Sequence, residues 1–357
     1  MITNIDDNIG KLRKCLIDMD IADNTIFIFT TDNGTARGDE VYNAGLTGKK
    51  GSNREGGHKV LVFIYWKDGN LFGGREITKL TEHIDILTTL FELCGLEPIK
   101  NNYKLDGKCL VPLLKDPIVI WSSRTIITDS QRVVDPLMWR NCSIMNDQSR
   151  LLDGCKLYGV KTYPAQKNDL SKDYPKILDK LRIDYENWWA DISPNFSKYA
   201  RIIVGNPAEN PSLLTAHDWF SVRRSLWHQG HIRSSILSNG FWALKVETKG
   251  KYKISLRGLP RETGANSDAK IPTGKKVPGL FAYRQRLGKA INIEKVGLMI
   301  GDYENEVNYT PNTQESTFTL NLLSGLYELY SYFILKGSKK WIVIMYILKK
   351  FSHNLSQ

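Results

Sequence analysis

The stretch that decides the fold runs from Phe29 to Leu61 and reads FTTDNGTARGDEVYNAGLTGKKGSNREGGHKVL. It starts inside the run 25–30, whose nearly continuous β-forming residues are typical of a strand buried in a parallel sheet. The tripeptide Asp32-Asn33-Gly34 follows that run almost at once. Open α/β sheets place their ligand-binding crevice beyond the carboxyl ends of their strands. We therefore expect Asp32 and Asn33 to face a binding site.

The segments on either side of this stretch continue an α/β pattern. Apolar residues 5, 9, 12 and 16 form one stripe at helical spacing, which predicts an amphipathic helix before the strand. The run 60–66 predicts a second strand, and residues 84–94 predict a helix that ends at Gly95. The pattern continues to about residue 118. A chain that begins with a crossover helix and a central strand is expected to be a fold entered midway.

The remainder of the chain predicts one further helix and then a β-rich module. Residues 175–189 share one apolar face at helical spacing, with Pro175 at the start as expected. From about residue 218 the hydrophobic pattern alternates with period two. Residues 242–246 and 252–256 predict a hairpin joined by Lys249-Gly250, residues 318–322 repeat the alternation, and residues 341–348 predict a final strand. This part is interpreted as an antiparallel β-sandwich.

Composition excludes several classes of protein. Of the 357 residues, 49 are Lys or Arg and 38 are Asp or Glu, which gives a net charge of +11 without a long basic run, so nucleic acid is not expected as a partner. The five cysteines are scattered and never in C-x-x-C spacing, which predicts neither a zinc site nor a disulfide framework. No apolar run reaches the roughly twenty residues that a bilayer requires, and no secretory signal is recognisable at the N-terminus.

The central stretch also offers groups that bind anions and cations. The side-chain oxygens of Asp32 and Asn33 suit a hard cation such as calcium, although the same residues are common in ordinary turns. Lys50 supplies a compact positive charge, and Gly56-Gly57 allows a tight backbone turn near an oxyanion. Plain surface charge is the alternative for Lys50.

Taken together, the DNG tripeptide and the pattern K-G-x-x-x-E-G-G-x-x-V that begins at Lys50 resemble a block of the formylglycine-dependent sulfatases, in the alkaline phosphatase superfamily. The resemblance implies that Asp32 and Asn33 are metal ligands, with Ca²⁺ the usual ion. It implies that Lys50 is catalytic and substrate-binding and contacts the sulfate oxygens. Glu55 and the glycines would shape the loop. His58 matches a position that is often histidine in sulfatases, and a structural and a functional role both stay open.

Other segments resemble sulfatases in the expected order. Residues 5–12, 80–96 and 105–114 do so closely, and residues 131–133, 139–140, 151–158 and 186–189 more loosely. The implied fold class is α/β, with the C-terminal part of an alkaline phosphatase-like sheet in residues 1–118. A small α+β subdomain in 119–212 and the antiparallel β-sandwich module in 213–357 would follow. Departures from the family's pattern include Lys59, Leu61 and Thr88.

The formylglycine motif is the largest departure. No C-x-P-S-R or C-x-A-x-R occurs in the sequence, and none of the five cysteines has Arg four residues later. The family oxidises the motif's cysteine to its aldehyde nucleophile. We therefore expect an N-terminally truncated sulfatase that does not hydrolyse sulfate esters by itself. The family suggests a periplasmic, extracellular or lysosomal location.

Two alternatives remain beside the sulfuric ester hydrolase acting on an aryl or carbohydrate sulfate. A phosphatase or phosphodiesterase of the same superfamily usually has Asp-His where this chain has Asp32-Asn33, because a two-zinc site requires imidazole. A non-catalytic product whose β module binds carbohydrate is the third possibility.

Overall fold

The chain is described by a computed structural model. The described residues are 2–97, 104–116, 118–131, 133–161, 163, 165–221, 226, 228–276, 283–337, 341–342 and 345–350. They combine helices and strands in a mixed α/β architecture. The chain divides into two compact units, Met1–Gln131 with Leu137–Pro194 and Arg132–Pro136 with Asn195–Gln357. The predicted division into three domains at residues 118 and 212 stays a prediction.

The first part of unit one carries the DNG stretch between short elements. In chain order these are α1 (Ile2–Asp18), β1 (Phe27–Thr30), α2 (Glu55–His58), β2 (Val62–Tyr65), α3 (Asp85–Leu93) and α4 (Val111–Lys115). The predicted helices before the strand and at 84–94 are both confirmed. Gly95 has φ +61°, a left-handed conformation that suits glycine just past a helix end. The apolar stripe of α1 covers no core, since α1 contains no buried residue.

The prediction that the strand at 25–30 pairs in parallel is wrong, because its neighbour in the structure, β2, is antiparallel to it. β1 and β2 form a two-stranded antiparallel sheet in which Phe27 lies opposite Tyr65 and Thr30 opposite Val62. All four residues of β1 are half-buried rather than fully buried. A run of β-forming residues predicts a strand, but it does not specify the direction of the partner.

The second part of unit one is a four-stranded antiparallel meander covered by a helix. Its elements are β3 (Ile126–Asp129), β4 (Cys142–Met145), β5 (Ser149–Leu152), β6 (Lys156–Gly159) and α5 (Pro175–Ile192). The predicted helix at 175–189 is therefore confirmed. Leu181 and Tyr185 of α5 pack with buried residues of the sheet, and Ile177 and Trp188 pack against that core. Residue 132, in the weakly sulfatase-like segment 131–133, lies outside the described residues.

Unit two consists of two sheets whose buried side chains form one core. Its elements are β7 (Ile202–Val204), β8 (Ser212–Thr215), α6 (Gln229–Arg233), β9 (Phe241–Val246), β10 (Gly250–Arg257), β11 (Ile293–Ile300), β12 (Tyr303–Asn308), β13 (Ser316–Leu322), β14 (Gly325–Leu335), β15 (Trp341–Ile342) and β16 (Met345–Lys350). One sheet has the order β13-β10-β16-β8 and the other β12-β11-β14-β9-β7, with β15 beside β14. Only β7 and β9 pair in parallel among these described strands. The core draws on both sheets.

The predicted hairpin of residues 242–246 and 252–256 is wrong, although both strands exist. β9 pairs with β14 and β7, whereas β10 pairs with β13 and β16 in the other sheet. The chain at Lys249-Gly250 therefore crosses from one sheet to the other. Of the predicted final strand at 341–348, residues 343 and 344 lie outside the described residues. Across the part of the chain that the structure describes, no helix combines the length and apolarity needed to cross a bilayer.

Candidate functional site

The two predicted metal ligands lie just beyond the carboxyl end of β1. Asp32 is exposed and Asn33 is half-buried. The side-chain amide of Asn33 donates a hydrogen bond to Oδ2 of Asp32. Thr30, the last residue of β1, donates from Oγ1 to the carbonyl oxygen of Leu61 at 2.9 Å. Asp32 and Asn33 therefore form one small polar surface beyond the end of β1, and the side chain of Thr30 bonds that strand end to the residue before β2.

Gly34 brings the DNG turn into direct backbone contact with α2. Its amide donates to the carbonyl oxygen of Gly57 at 3.0 Å. A Cβ at position 34 would lie 1.8 Å from the carbonyl oxygen of Gly56, which no neighbouring side chain could relieve. Only glycine fits this close approach. The two glycine-containing motifs of the sequence are thus halves of one packed arrangement.

The loop that carries Lys50 lies against the same turn. The amide of Lys50 donates to the carbonyl oxygen of Thr35 at 2.8 Å, and the amide of Gly56 donates to that of Thr47 at 2.8 Å. Within the loop, the side-chain amide of Asn43 donates to the carbonyl oxygen of Gly48 at 2.9 Å. These bonds hold the backbone of Lys50 against Thr35, the residue that directly follows the DNG turn.

The two neighbouring lysines differ in their surroundings. The Nζ atom of Lys49 lies 3.2 Å from Oδ2 of Asp39, so its charge already has a partner. Lys50 is exposed and takes part in none of the ion pairs between described residues. Of the two, Lys50 is the cation whose charge remains available to an anionic ligand.

A buried ionic cluster lies beneath α2. The side chain of Arg150, on β5, is 1% exposed, and its Nη2 donates to Oε2 of Glu55 at 2.6 Å. Its Nη1 lies 2.9 Å from Nδ1 of His58 and donates to Oγ of Ser143 at 2.8 Å. An arginine can only donate, so Nδ1 of His58 must be the acceptor and carries no proton. Glu55 and His58 are therefore held by one guanidinium.

The surroundings of His58 keep its imidazole neutral. Burial, and after it the positive charge of Arg150, lowers the pKa of His58 from 6.5 to about 4. A neutral imidazole that accepts from a buried arginine is a structural component rather than a proton donor at neutral pH. This geometry supports the structural alternative for His58.

Polar contacts from two more segments fix the residues before and within α2. The amide of Glu55 donates to Oε1 of Gln166 at 3.1 Å, and Nη1 of Arg54 donates to the carbonyl oxygen of Gln166 at 3.3 Å. Nδ2 of Asn53 donates to the carbonyl oxygen of Cys142 at 3.2 Å and to Oδ1 of Asp153 at 3.1 Å. The EGG turn, residues 55–57, and the two residues before it are thus held by Gln166 and by residues of the meander.

A second buried ion pair supports the residues beside the DNG turn. Both carboxylate oxygens of Asp85 accept from Nη1 of Arg124, at 2.8 and 2.7 Å, and Asp85 also accepts from the amide of Glu82 at 2.8 Å. Next to Glu82, Nε2 of His83 lies 3.0 Å from the carbonyl oxygen of Thr31. Burial raises the pKa of Glu82, while the charge of Arg124 opposes that rise. The sulfatase-like segment 80–96 therefore contacts the residue immediately before Asp32.

The residues present do not by themselves fit a calcium site. Calcium takes six to eight oxygen ligands, and Asp32 and Asn33 supply two side chains. No group of three or more His, Cys, Asp or Glu side chains suited to a metal ion occurs in the part of the chain that the structure describes. The pair can serve only as part of a larger shell.

Arg150 is the site residue that sequence reasoning missed. It stands in the run Ser149–Leu152, between residues that are all buried in β5. A lone arginine in a buried strand requires an acidic partner, because an unpaired charge in a core is very costly. That signal was available in the sequence, but the partner, Glu55, lies 95 positions earlier in the chain and could not be identified from spacing.

Comparisons with known proteins agree with the motifs. The family model described as Sulfatase matches residues 1–96. N-acetylgalactosamine-6-sulfatase of Homo sapiens is 34% identical over 117 residues, which are 32% of this chain and 22% of that protein. Steryl-sulfatase of Mus musculus is 30% identical over 122 residues, which are 32% of this chain and 19% of that protein. The crystal structure of Ps i-CgsB has a TM-score of 0.45 and 23% identity, over 53% of this chain and 41% of that one.

The chain thus spans about a fifth of the length of these two curated relatives. The region of similarity contains the DNG turn, the Lys50 loop and the EGG turn, all of which lie within residues 1–96. The family model and both named relatives therefore show that residues 1–96 are similar to sulfatases, and this similarity agrees with the motifs of the sequence.

Proposed function

We propose that this chain carries the sulfate-binding part of a sulfuric ester hydrolase, with Lys50 as the ligand of the sulfate oxygens. The observation that carries the proposal is the pairing of Lys49 with Asp39 while Lys50, on a loop bonded to the DNG turn, has no ion-pair partner among the described residues. An exposed ammonium fixed by its backbone next to a polar turn is suited to a tetrahedral anion. In the reaction, its charge would stabilise the negative charge that develops on sulfate oxygens.

Asp32 and Asn33 are proposed as part of a divalent-cation shell, with Ca²⁺ as the ion. When bound, such an ion would polarise the sulfate as a Lewis acid. The proposed context is an alkaline phosphatase-like sheet, followed by a small α+β subdomain and a β-sandwich module. Two ligands fall short of a complete shell, so we expect the chain alone to bind Ca²⁺ weakly.

The substrate is proposed to be a sulfate ester of an aryl alcohol or a carbohydrate. The names of the relatives refer to an N-acetylgalactosamine sulfatase and to a steryl sulfatase, so they cover both a sugar and a sterol. The leaving alcohol is therefore left open between these chemistries, and the shared feature is the sulfate group that Lys50 would bind.

Turnover requires a nucleophile in addition to electrostatic stabilisation. No cysteine in this sequence has the C-x-P-S-R or C-x-A-x-R context in which the family forms formylglycine. Charge stabilisation without an attacking group leaves most of the barrier in place. We therefore expect the purified chain not to release the aryl alcohol from a chromogenic aryl sulfate, with or without added Ca²⁺. Turnover that Asp32→Ala abolishes would contradict this.

Binding of inorganic sulfate tests Lys50 directly, and Lys49 offers a matched control on the adjacent position. Removing one exposed charge at about 4 Å from an anion costs roughly 1 kcal/mol, or about fivefold in the dissociation constant. We expect Lys50→Ala to weaken sulfate binding by about that factor and Lys49→Ala to change it less than twofold, both measured by NMR titration at low ionic strength. Equal effects of the two substitutions would refute the assignment of Lys50.

A further inference from the structure

The guanidinium of Arg150 gathers the base of the Lys50 loop into one buried cluster. It donates to the backbone carbonyl of Asn53 at 3.2 Å, to Glu55 at 2.6 Å and to Ser143 at 2.8 Å, and it lies 2.9 Å from His58. Three of these four partners lie in or directly before α2, and the fourth is on β4. The arginine therefore links β4 and β5 of the meander to residues 53–58, which include the EGG turn.

Burying the charge of Arg150 costs desolvation free energy, and filling the core does not require a charged residue at this position. Its strand neighbours Leu151 and Leu152 are buried apolar residues, and a leucine or methionine at position 150 would fill a core site of that kind. A buried ion pair is often no more stabilising than apolar residues of the same volume, while breaking one partner is strongly destabilising. What the ion pair adds is a defined position for Glu55, because its short, charge-assisted bond is directional.

Glu55 in turn determines where the Lys50 loop closes. The amide of Gly56, the next residue, donates to the carbonyl oxygen of Thr47 at 2.8 Å, so residues 47 and 56 close the loop that contains Lys50. On the other side, the amide of Lys50 donates to Thr35 at 2.8 Å. A displacement of Glu55 would therefore move the closing bond of the loop and, with it, the backbone of Lys50.

We propose that Arg150 is a positioning residue for Lys50: by fixing Glu55 in the buried cluster, it holds the loop at residues 47–56 closed and the Lys50 ammonium in place for an anion. The proposal rests on the proposed role of Lys50 in sulfate binding. Arg150 itself is buried and does not touch the ligand.

The test compares Arg150→Met and Arg150→Lys with Arg257→Met. Arg257 is also buried, at 3% exposure, and pairs with Glu315 at 3.6 Å, but it belongs to unit two. We expect Arg150→Met to accelerate hydrogen exchange of the Lys50 and Gly56 amides at least tenfold relative to wild type. Arg150→Lys keeps the charge but has one terminal nitrogen in place of Nη1 and Nη2, so it should show a smaller acceleration. Arg257→Met should show no acceleration at these amides.

Glu55→Gln provides a second route if Arg150→Met does not fold. It keeps the size of the side chain and an acceptor oxygen while removing the charge, and it should accelerate exchange at the same two amides. Unchanged exchange at Lys50 and Gly56 in any folded variant of Arg150 or Glu55 would overturn the proposal.

Inorganic sulfate binding separates this proposal from the proposed function. If Lys50→Ala weakens binding, Arg150→Met is expected to weaken it by a similar factor, and wild-type affinity in that variant would overturn the positioning role alone. If Lys50→Ala leaves binding unchanged, the proposed function fails, and positioning of a ligand by Arg150 fails with it even when the loop amides exchange faster.

Discussion

Acidification is expected to destabilise unit one through a single histidine. Nδ1 of His58 faces Nη1 of Arg150 at 2.9 Å, and protonating it would remove the only acceptor in that contact and bring two cations together. Burial, and after it the charge of Arg150, lowers the pKa of His58 from 6.5 to about 4. Between these two pH values the unfolded chain binds a proton that the folded chain does not. The free energy of unfolding therefore rises with pH across this window, and the stability that His58 contributes is lost as the pH falls through it.

The size of the effect follows from the two pKa values. One pKa unit corresponds to about 1.4 kcal/mol, so lowering the pH from above 6.5 to below 4 should remove about 3 kcal/mol, of which about 2 kcal/mol is lost by pH 5. A loss of this size is a large fraction of the stability of an ordinary domain. Carboxylates also titrate near pH 4, so the difference between wild type and a His58 variant is the quantity that isolates the histidine.

The assay is urea unfolding of wild type and His58→Gln between pH 4 and pH 7, followed through amide NMR signals of unit one. Wild type should lose stability relative to His58→Gln as the pH falls, because glutamine has no charge to gain. His217→Gln replaces an exposed histidine of unit two and should leave the pH dependence of unit one unchanged. An imidazole titration midpoint near 6.5 for His58 in the folded chain, or parallel pH profiles for wild type and His58→Gln, would refute the reasoning.

Four further substitutions test the stability of unit one, each by its urea unfolding midpoint. Gly34→Ala should lower the free energy of unfolding by about 1–3 kcal/mol, because its Cβ would lie 1.8 Å from the carbonyl oxygen of Gly56. Gly10→Ala in helix α1, where a Cβ would meet nothing within 4 Å, should raise the free energy of unfolding by about 0.5–1 kcal/mol. Changes of the same sign in both variants would contradict this. Leu181→Ala should lose about 2–5 kcal/mol, since Leu181 is fully buried, and a loss below 1 kcal/mol would show that α5 is not part of the core. Asp85→Asn should lose about 3–5 kcal/mol because a buried guanidinium then lacks its countercharge, and wild-type stability would mean that the pair is solvated.

The helices could be predicted from the sequence because their signals are local. In α5, Ile177, Leu181, Tyr185 and Trp188 recur at helical spacing, and all four contribute to or pack against one core. The helix before Gly95 ends where a left-handed residue is required. Both signals span fewer than twenty residues and depend on backbone geometry alone, so they hold whatever the rest of the chain does.

Strand partners could not be predicted in the same way. The alternation in β9 and β10 correctly identifies an inward face, since Trp242 and Leu244 are buried, as are Tyr252 and Ile254. Period two states which side of a strand faces the core, but nothing about which strand lies beside it. The two strands are adjacent in sequence but lie in different sheets, because their neighbours β13 and β14 come from about 60 to 90 positions later in the chain. The predicted parallel pairing of β1 was wrong for the same reason.

At the candidate site, the exposed residues could be predicted from a sequence motif, whereas the buried residues that hold them could not. Asp32, Asn33 and Lys50 were predicted as site residues because the residue types that bind a cation or an anion are set by chemistry, so their pattern can be recognised in a short stretch. The residues that hold them have the opposite requirement. Arg150 and Glu55 must be buried to be rigid, and a buried charge is tolerated only where the fold supplies its partner. Because that partner lies in a different element, the contacts that position Lys50 exist only in the folded unit and leave no local sequence pattern. The exchange rate of the Lys50 amide is therefore the quantity that should report them.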